Sequence, residues 1–167
     1  MSAQAIGIRL QLGYAGSITR SSDVVIQNRI SAGELSFGAP VFLNPDNTVQ
    51  LFGAGADNAR FLGFAVRIVK QQQATFESVG GYRAGELTDV LVRGSLAVPF
   101  KGTGTPTAGG TVYIRTTLNP AFPDAAIGDV EAVADGTNTV ALTNASFTTG
   151  ITDSSGVIEA TVNERRI

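Results

Sequence analysis

The run GGYRAGELTDVLVRGSLAVPF, residues 80–100, constrains this chain's fold more than any other stretch, because it reads as one long strand with a glycine in its middle. Successive residues of a strand point to opposite faces, so an apolar face must keep one parity. Thr88, Val90, Val92, Gly94, Leu96, Val98 and Phe100 keep it through the glycine. A two-residue turn or an inserted bulge residue would reset that register, whereas a kink preserves it. Gly94 is therefore expected to bend the strand, not to end it. Continuous strands that coil sharply at a glycine belong to barrels and strongly curled sheets, where one strand serves two sides of a core.

Upstream, Ile6, Ile8, Leu10, Leu12 and Tyr14 alternate with Gly7, Arg9, Gln11 and Gly13, the pattern of a strand with one buried side. The polar stretch GSITRSSDVVIQNRISAGE that follows suits an extended arm better than a packed core. Its window DVVIQNRIS is the best helical candidate in the chain, but it is short and β-branched at its start. Further strand-like runs are SFGAPVFL, TVQLFG, ARFLGFAVRIV, GTVYI, TVALTNASF and GVIEATVNE, separated by PDN, GAGADN, KGTGTPTAGG and DSSG. Those separators carry turn-forming residues, and Asp153 to Gly156 reads as a hairpin turn. AGEL recurs at 32–35 and 84–87, and a G-x-x-V-aromatic-aliphatic pattern at 38–43 and 109–114. These echoes single out Gly38, Gly85 and Gly109, beside Gly94, as structural glycines.

Many short strands with Gly-rich turns and no alternating helices predict an all-β fold, a single-domain barrel or sandwich. At 167 residues the chain is one domain by size and can bury a proper core. The expected organisation is an N-terminal strand and extended arm over residues 1–30 and a core over 31–167 that ends in a C-terminal hairpin.

The chemistry is bounded by what the chain lacks. No cysteine means no disulfide, thiolate metal site or cysteine nucleophile, and no histidine removes the commonest general base and metal ligand. A net charge of -2 offers no field for nucleic acid or an anionic membrane surface. No segment reaches the roughly 18 apolar residues of a membrane span, and the N-terminus has no signal-peptide pattern, so synthesis and folding in the cytoplasm are expected. KGTGTPTAGG and GAGADN lack the glycine and lysine spacing of phosphate-binding loops. Carboxylates are scattered singly, and DSSG and GADN fall short of the 6–8 oxygens that calcium takes. Arg93, Arg115, Arg165 and Arg166 could meet an acidic partner patch, although isolated arginines on β faces are more often solvent-facing or singly paired. The reading is of no catalytic residue, no cofactor and no metal. Charged residues make up 16% of the chain, below the roughly 25% of ordinary soluble domains, which suits either a Gly/Ala/Thr/Ser-rich surface or a face covered by partner subunits.

Taken in order, Phe37-Gly38-Ala39-Pro40-Val41, Gly63-Phe64-Ala65-Val66-Arg67, Tyr82-Arg83-Ala84-Gly85-Glu86, Val90-Leu91-Val92-Arg93-Gly94 and Gly109-Gly110-Thr111-Val112-Tyr113 resemble the serial signature of tailed-bacteriophage structural cement, or head decoration, proteins. The resemblance runs over about residues 13–115 and is weaker from Pro120 onward. It implies a β-tulip-like all-β domain on the outer surface of the virion head, made in the host cytoplasm, that bridges neighbouring major capsid proteins with no enzyme activity or cofactor. It also implies a homo-oligomer, with a trimer favoured over a dimer. Within that reading Ile6, Ile8, Leu10, Leu12 and Tyr14 are the expected apolar contacts to a second copy or to the capsid, by strand addition. A tail or neck component of the virion is the nearer alternative, and a carbohydrate-binding β-sandwich the more distant one. The latter suffers from the absence of tryptophan and a total of three tyrosines, since sugar rings are usually held against exposed aromatic faces.

Overall fold

The computed structural model describes residues 12–68 and 80–163. Ile6, Ile8 and Leu10, with Arg165 and Arg166, lie outside the described residues. The chain is all-β: β1 (Ile18–Ile30), β2 (Leu35–Ser36), β3 (Pro40–Leu43), β4 (Val49–Leu51), a single 3-10 turn (Asn58–Arg60), β5 (Phe61–Ala65), β6 (Gly81–Tyr82), β7 (Leu87–Pro99), β8 (Thr111–Arg115), β9 (Val130–Glu131), β10 (Thr139–Thr152) and β11 (Val157–Val162). Nine strands form one antiparallel sheet in the order β4-β3-β5-β7-β11-β10-β8-β9, with β1 also on β7. β2 and β6 form a separate two-stranded ribbon.

β7 runs unbroken through Gly94, which bends the strand at φ +119°. On one edge its first half pairs with β5 (Phe64 opposite Leu91) and its second half with β11 (Val162 opposite Gly94 through Val157 opposite Pro99). β1 follows the other edge from Ile30 opposite Leu87 to Ile18 opposite Leu96. Gly94 is thus where two half-sheets part company. The even residues stay apolar and buried across it, as expected, but they do not serve a single core. Before the glycine the even residues Val90 and Val92 enter one apolar cluster while Leu91 enters another, and after it Leu96 and Val98 enter the cluster of Leu91. A residue at positive φ interrupts the pleat, so the same parity stays apolar while changing the core it serves.

The larger cluster lies between the half-sheets. Phe42, Phe61, Phe64 and Leu91 from one meet Val98, Ile114, Leu142, Phe147 and Ile158 from the other. Phe52, Phe61 and Phe64 stack edge to face in series at 5.8 and 5.3 Å, the arrangement aromatic quadrupoles favour. The smaller cluster, on the far face of β3, β5 and β7, gathers Val41, Val49, Ala65, Val90 and Val92 under Leu35, Phe37 and Tyr82. All five residues of β5, FLGFA, are consequently buried, as expected for a strand covered on both faces.

The sheet curls without closing into a barrel, so the sandwich side of the expected pair of architectures is realised. Its ends curl back far enough for two isolated parallel bridges, Ser31 to Val49 and Phe100 to Val130. The C-terminal hairpin is present as β10 and β11. Asp153 shapes its turn by accepting the amide protons of Ser155 at 2.8 Å and Val157 at 3.2 Å. The polar stretch after Tyr14 is extended but is not a free arm. β1 pairs along β7, and a bulge between Arg20 and Val25 with Asp23 at φ 64° breaks the alternation that would have revealed it. β9 escaped the sequence reading because two residues carry no period.

Candidate interaction surfaces

Two surfaces stand out, one around Tyr14 and β1 and one in the segment 116–138. At the first, Gly16 is held between two elements, its N–H donating to Ala97 at 2.7 Å and its carbonyl accepting from Arg67 at 2.8 Å. That leaves Tyr14 projecting, 72% exposed, with the Arg67 guanidinium 4.9 Å from its ring centroid and 5.3 Å from that of Phe37. The result is a basic, aromatic knob. Leu12 is half-buried, and its N–H donates to Asp153 at 3.2 Å. Of the five expected apolar contacts, the described residues include these two, and they differ in setting: Tyr14 is exposed and Leu12 partly covered.

β1 adds an exposed face to this end. Ile26 and Ile30 are exposed, as is Leu87 opposite Ile30, and the Asn28 amide donates to Asp89 between them. Arg93 pairs with Asp23 at 2.5 Å, both partly exposed, so it is singly paired as an isolated strand arginine would be. Arg20 and the hydroxyl of Thr19 donate to Glu159 of β11 at 2.9 and 2.7 Å. Burial works to raise the Glu159 carboxyl, but these hydrogen bonds and the Arg20 charge hold it below its ordinary range.

The second surface is the segment 116–138, which has little regular structure and is organised around Arg115. Contrary to the expectation for an isolated strand arginine, Arg115 is fully buried and multiply paired. Its guanidinium forms a fork with the buried Glu131 carboxylate and donates to Asp135 at 2.8 Å and to the Thr117 carbonyl at 3.3 Å. Thr103 donates to Glu131 at 2.9 Å, and Asn119 to Asp135 at 2.8 Å. A buried charge is tolerated only when paired and hydrogen-bonded in this way. The hydrogen bond to Glu131 raises the Arg115 pKa further. Asn119 first, then Arg115, hold the Asp135 carboxyl below its ordinary range.

This anchor fixes a loop that exposes apolar side chains. Leu118 follows Thr117, Phe122 lies with its ring centroid 5.6 Å from the Arg115 guanidinium, and Val133 precedes Asp135 by two residues; all three are exposed. Residues 100–104 run beside this loop, with Phe100 bridged to Val130 and the Ala132 N–H donating to the Thr103 carbonyl at 3.1 Å, so the exposed Lys101 adjoins it. The sequence singled out Arg115 only as a contact for an acidic partner patch; no local signal marked its burial, which comes from β9 and the loop folding back over it.

The four singled-out glycines all have positive φ: Gly38 at 78°, Gly85 at 81°, Gly94 at 119° and Gly109 at 72°. At Gly38 space adds to the conformational demand, since a Cβ there would lie 2.8 Å from Pro99 Cδ. Asp57 of GADN caps the 3-10 turn through the Arg60 amide at 3.0 Å. Among the described residues no group of three or more metal-ligating side chains comes together. Tyr82, fully buried, donates to the Val66 carbonyl at 2.6 Å, and burial pushes its hydroxyl up to about 12.

A profile of the structural cement protein family (E217 gp24/Pam3 gp6) matches residues 2–163. No curated protein matches the chain in sequence. Among solved structures, a chain from the capsid of Myoviridae phage XM1 superposes with a TM-score of 0.70 at 16% identity, covering 99% of this chain and 100% of that one. At that identity the likeness is one of fold.

Proposed function

Since the chain belongs to the structural cement protein family of phages, a family of capsid-associated structural proteins, we propose that it seats on the outer surface of the head, across boundaries between major capsid subunits, and works by contact alone. A family match spanning nearly the whole chain is the observation that carries this. Contacts made across subunit boundaries favour the assembled shell over separated subunits by mass action. Repetition of modest contacts over a symmetric lattice then yields avidity. Neither step needs a catalytic group, a cofactor or nucleic acid.

Within this reading the chain acts as a homo-oligomer, a trimer in preference to a dimer. Residues 1–30 supply the contacting strand and the outer face of β1, which is itself paired along β7 of the core 31–167, with Ile6, Ile8, Leu10, Leu12 and Tyr14 as apolar contacts. The exposed Tyr14 and the exposed face of β1 support that assignment. The test is to mix purified protein with expanded shells that lack it, following co-sedimentation and shell melting over a range of salt. Binding together with a higher shell melting temperature is expected. Failure to bind any capsid form would move the protein to the tail or neck, and binding without stabilisation would remove the cementing role.

A further inference from the structure

β1 lies at the margin of the sheet. Among the described residues its one strand partner is β7, so its outer edge presents backbone N–H and C=O groups that no described strand takes up. The bulge around Asp23 interrupts this edge, but residues 26–30 keep a single register on β7, from Ile26 opposite Leu91 to Ile30 opposite Leu87. Along them Ile26, Asn28 and Ile30 are exposed, while Gln27 and Arg29 are half-buried. Ile26 and Ile30, with Leu87 at 58% exposure, make an apolar strip around the Asn28–Asp89 hydrogen bond. A regular open edge beside exposed apolar side chains is the setting for strand addition.

The edge also selects its occupant. A strand completing it must be apolar at every second residue, on the side of Ile26 and Ile30, and must place no positive charge opposite Arg29. Residues 6–10, Ile-Gly-Ile-Arg-Leu, meet both demands in one direction. Laid antiparallel, they set Ile6 opposite Ile30, Leu10 opposite Ile26 and Gly7 opposite Arg29. Laid parallel over the same residues, they set Arg9 against Arg29, a destabilising like-charge pair. The same copy cannot supply the segment. Its Leu12 N–H is held by Asp153, whose own N–H donates to Val157, opposite Pro99 and on the far edge of β7 from β1. Ile26 lies opposite Leu91, eight residues before Pro99. That separation is roughly 20 Å or more even with the bend at Gly94, whereas the two residues from Leu12 to Leu10 span about 7 Å. We infer that residues 6–10 of one copy add antiparallel to β1 residues 26–30 of a second copy. The inference rests on the homo-oligomer proposed above and names the acceptor of its N-terminal contact. Each copy gives one segment and takes one, so the exchange is head-to-tail and closes into a ring where the rotation allows, a trimer in that reading.

The chain has no cysteine, so introduced thiols report the contact without background. Full-length Ile6→Cys is mixed with Ile30→Cys, and Leu10→Cys with Ile26→Cys, each checked for an unchanged circular dichroism spectrum and melting curve, then oxidised and run on non-reducing gels. Both mixtures are expected to give a linked pair of chains. Ile6→Cys mixed with Gln27→Cys, on the opposite face of β1, should not. A chain carrying both Ile6→Cys and Ile30→Cys should link to other copies and not within itself. In parallel, light scattering should show Ile30→Lys associating about tenfold or more weakly, because the added strand would cover the lysine charge. Absence of both links, closure within one chain, linkage of Ile6→Cys to Ile26→Cys in place of Ile30→Cys, or wild-type association by Ile30→Lys would overturn the exchange. A wild-type chain of multiple mass that fails to link would remove the exchange and keep the homo-oligomer. A mass of one 17.3 kDa chain at all concentrations would remove both, and shell binding by that monomer would leave the cement reading standing.

Discussion

The half-sheet of β3, β4, β5 and the first part of β7 is held by apolar contact on both faces, whereas the half built from β8 to β11 has one apolar face and depends elsewhere on buried charge. In the first, the FLGFA strand is completely buried and phenylalanines stack in series. In the second, a fully buried arginine organises a long loop through Glu131 and Asp135. Apolar burial is non-directional and roughly proportional to area, so it specifies a compact layer from composition and period. A buried ion pair is directional and contributes little net stability, but it fixes one geometry for groups that have no hydrophobic reason to be there.

The largest expected effects set the halves directly against each other. Arg115→Met leaves Glu131 buried without its partner and should cost about 3–5 kcal/mol in denaturant melts. Converting the pair together, Arg115→Met with Glu131→Leu, should return most of that loss. Phe64→Ala should cost a similar 3–5 kcal/mol by opening a cavity, with no single compensating change able to restore it. If the double variant is as unstable as Arg115→Met, the second half is held by packing like the first and the contrast fails.

At the junction, Gly94→Val should cost about 1–3 kcal/mol, since valine at φ +119° is strained. Val24 is also near: a Cβ at Gly94 would lie 3.3 Å from its Cγ2. An unchanged melting curve would mean that β7 does not need the glycine to serve two clusters.

The two halves should also fail at opposite ends of the pH scale. Glu159 and Asp135 titrate below their ordinary values of 4.5 and 3.8 in the folded protein, so their contribution is present above those values and is lost as pH falls through the lower folded ones. Tyr82, on the smaller cluster, is raised from 10.0 to about 12. Its contribution is present below 10.0 and is lost as pH rises toward 12. Hydrogen exchange should therefore show the segment 116–138 opening first in acid and β5 with β6 opening first in alkali. The same order of opening at both extremes would remove the electrostatic distinction.

The smallest stability effect is expected at the projecting end. Tyr14→Ser, at a side chain 72% exposed, should change folding stability by no more than about 0.5 kcal/mol while lowering association. Deleting residues 1–14 should likewise leave a folded β domain that has lost self-association or shell binding. Unfolding of that truncated chain would assign the first strand to the core.

Period and turn chemistry alone determined the all-β class, the strands of the core, the continuity of β7 through Gly94 and the hairpin at Asp153. Those features are local: alternation reports burial on a pleated surface, and turn residues act within four positions of themselves. The sequence also carried the ordered glycine-and-strand motifs of the cement family. Tertiary structure alone decided that Gly94 hands one parity from one cluster to another, because parity shows that a side chain is buried but not what it is buried against. It also decided that the polar run 18–30 is a strand, since a bulge at Asp23 hides its period. Arg115 is the plainest case. An arginine beside Ile114 on a short strand looks like a solvated residue until Glu131 and Asp135, 16 and 20 positions later, fold over it. Pairing across that separation leaves no local pattern, and only the assembled fold supplies the partners that make such a burial tolerable.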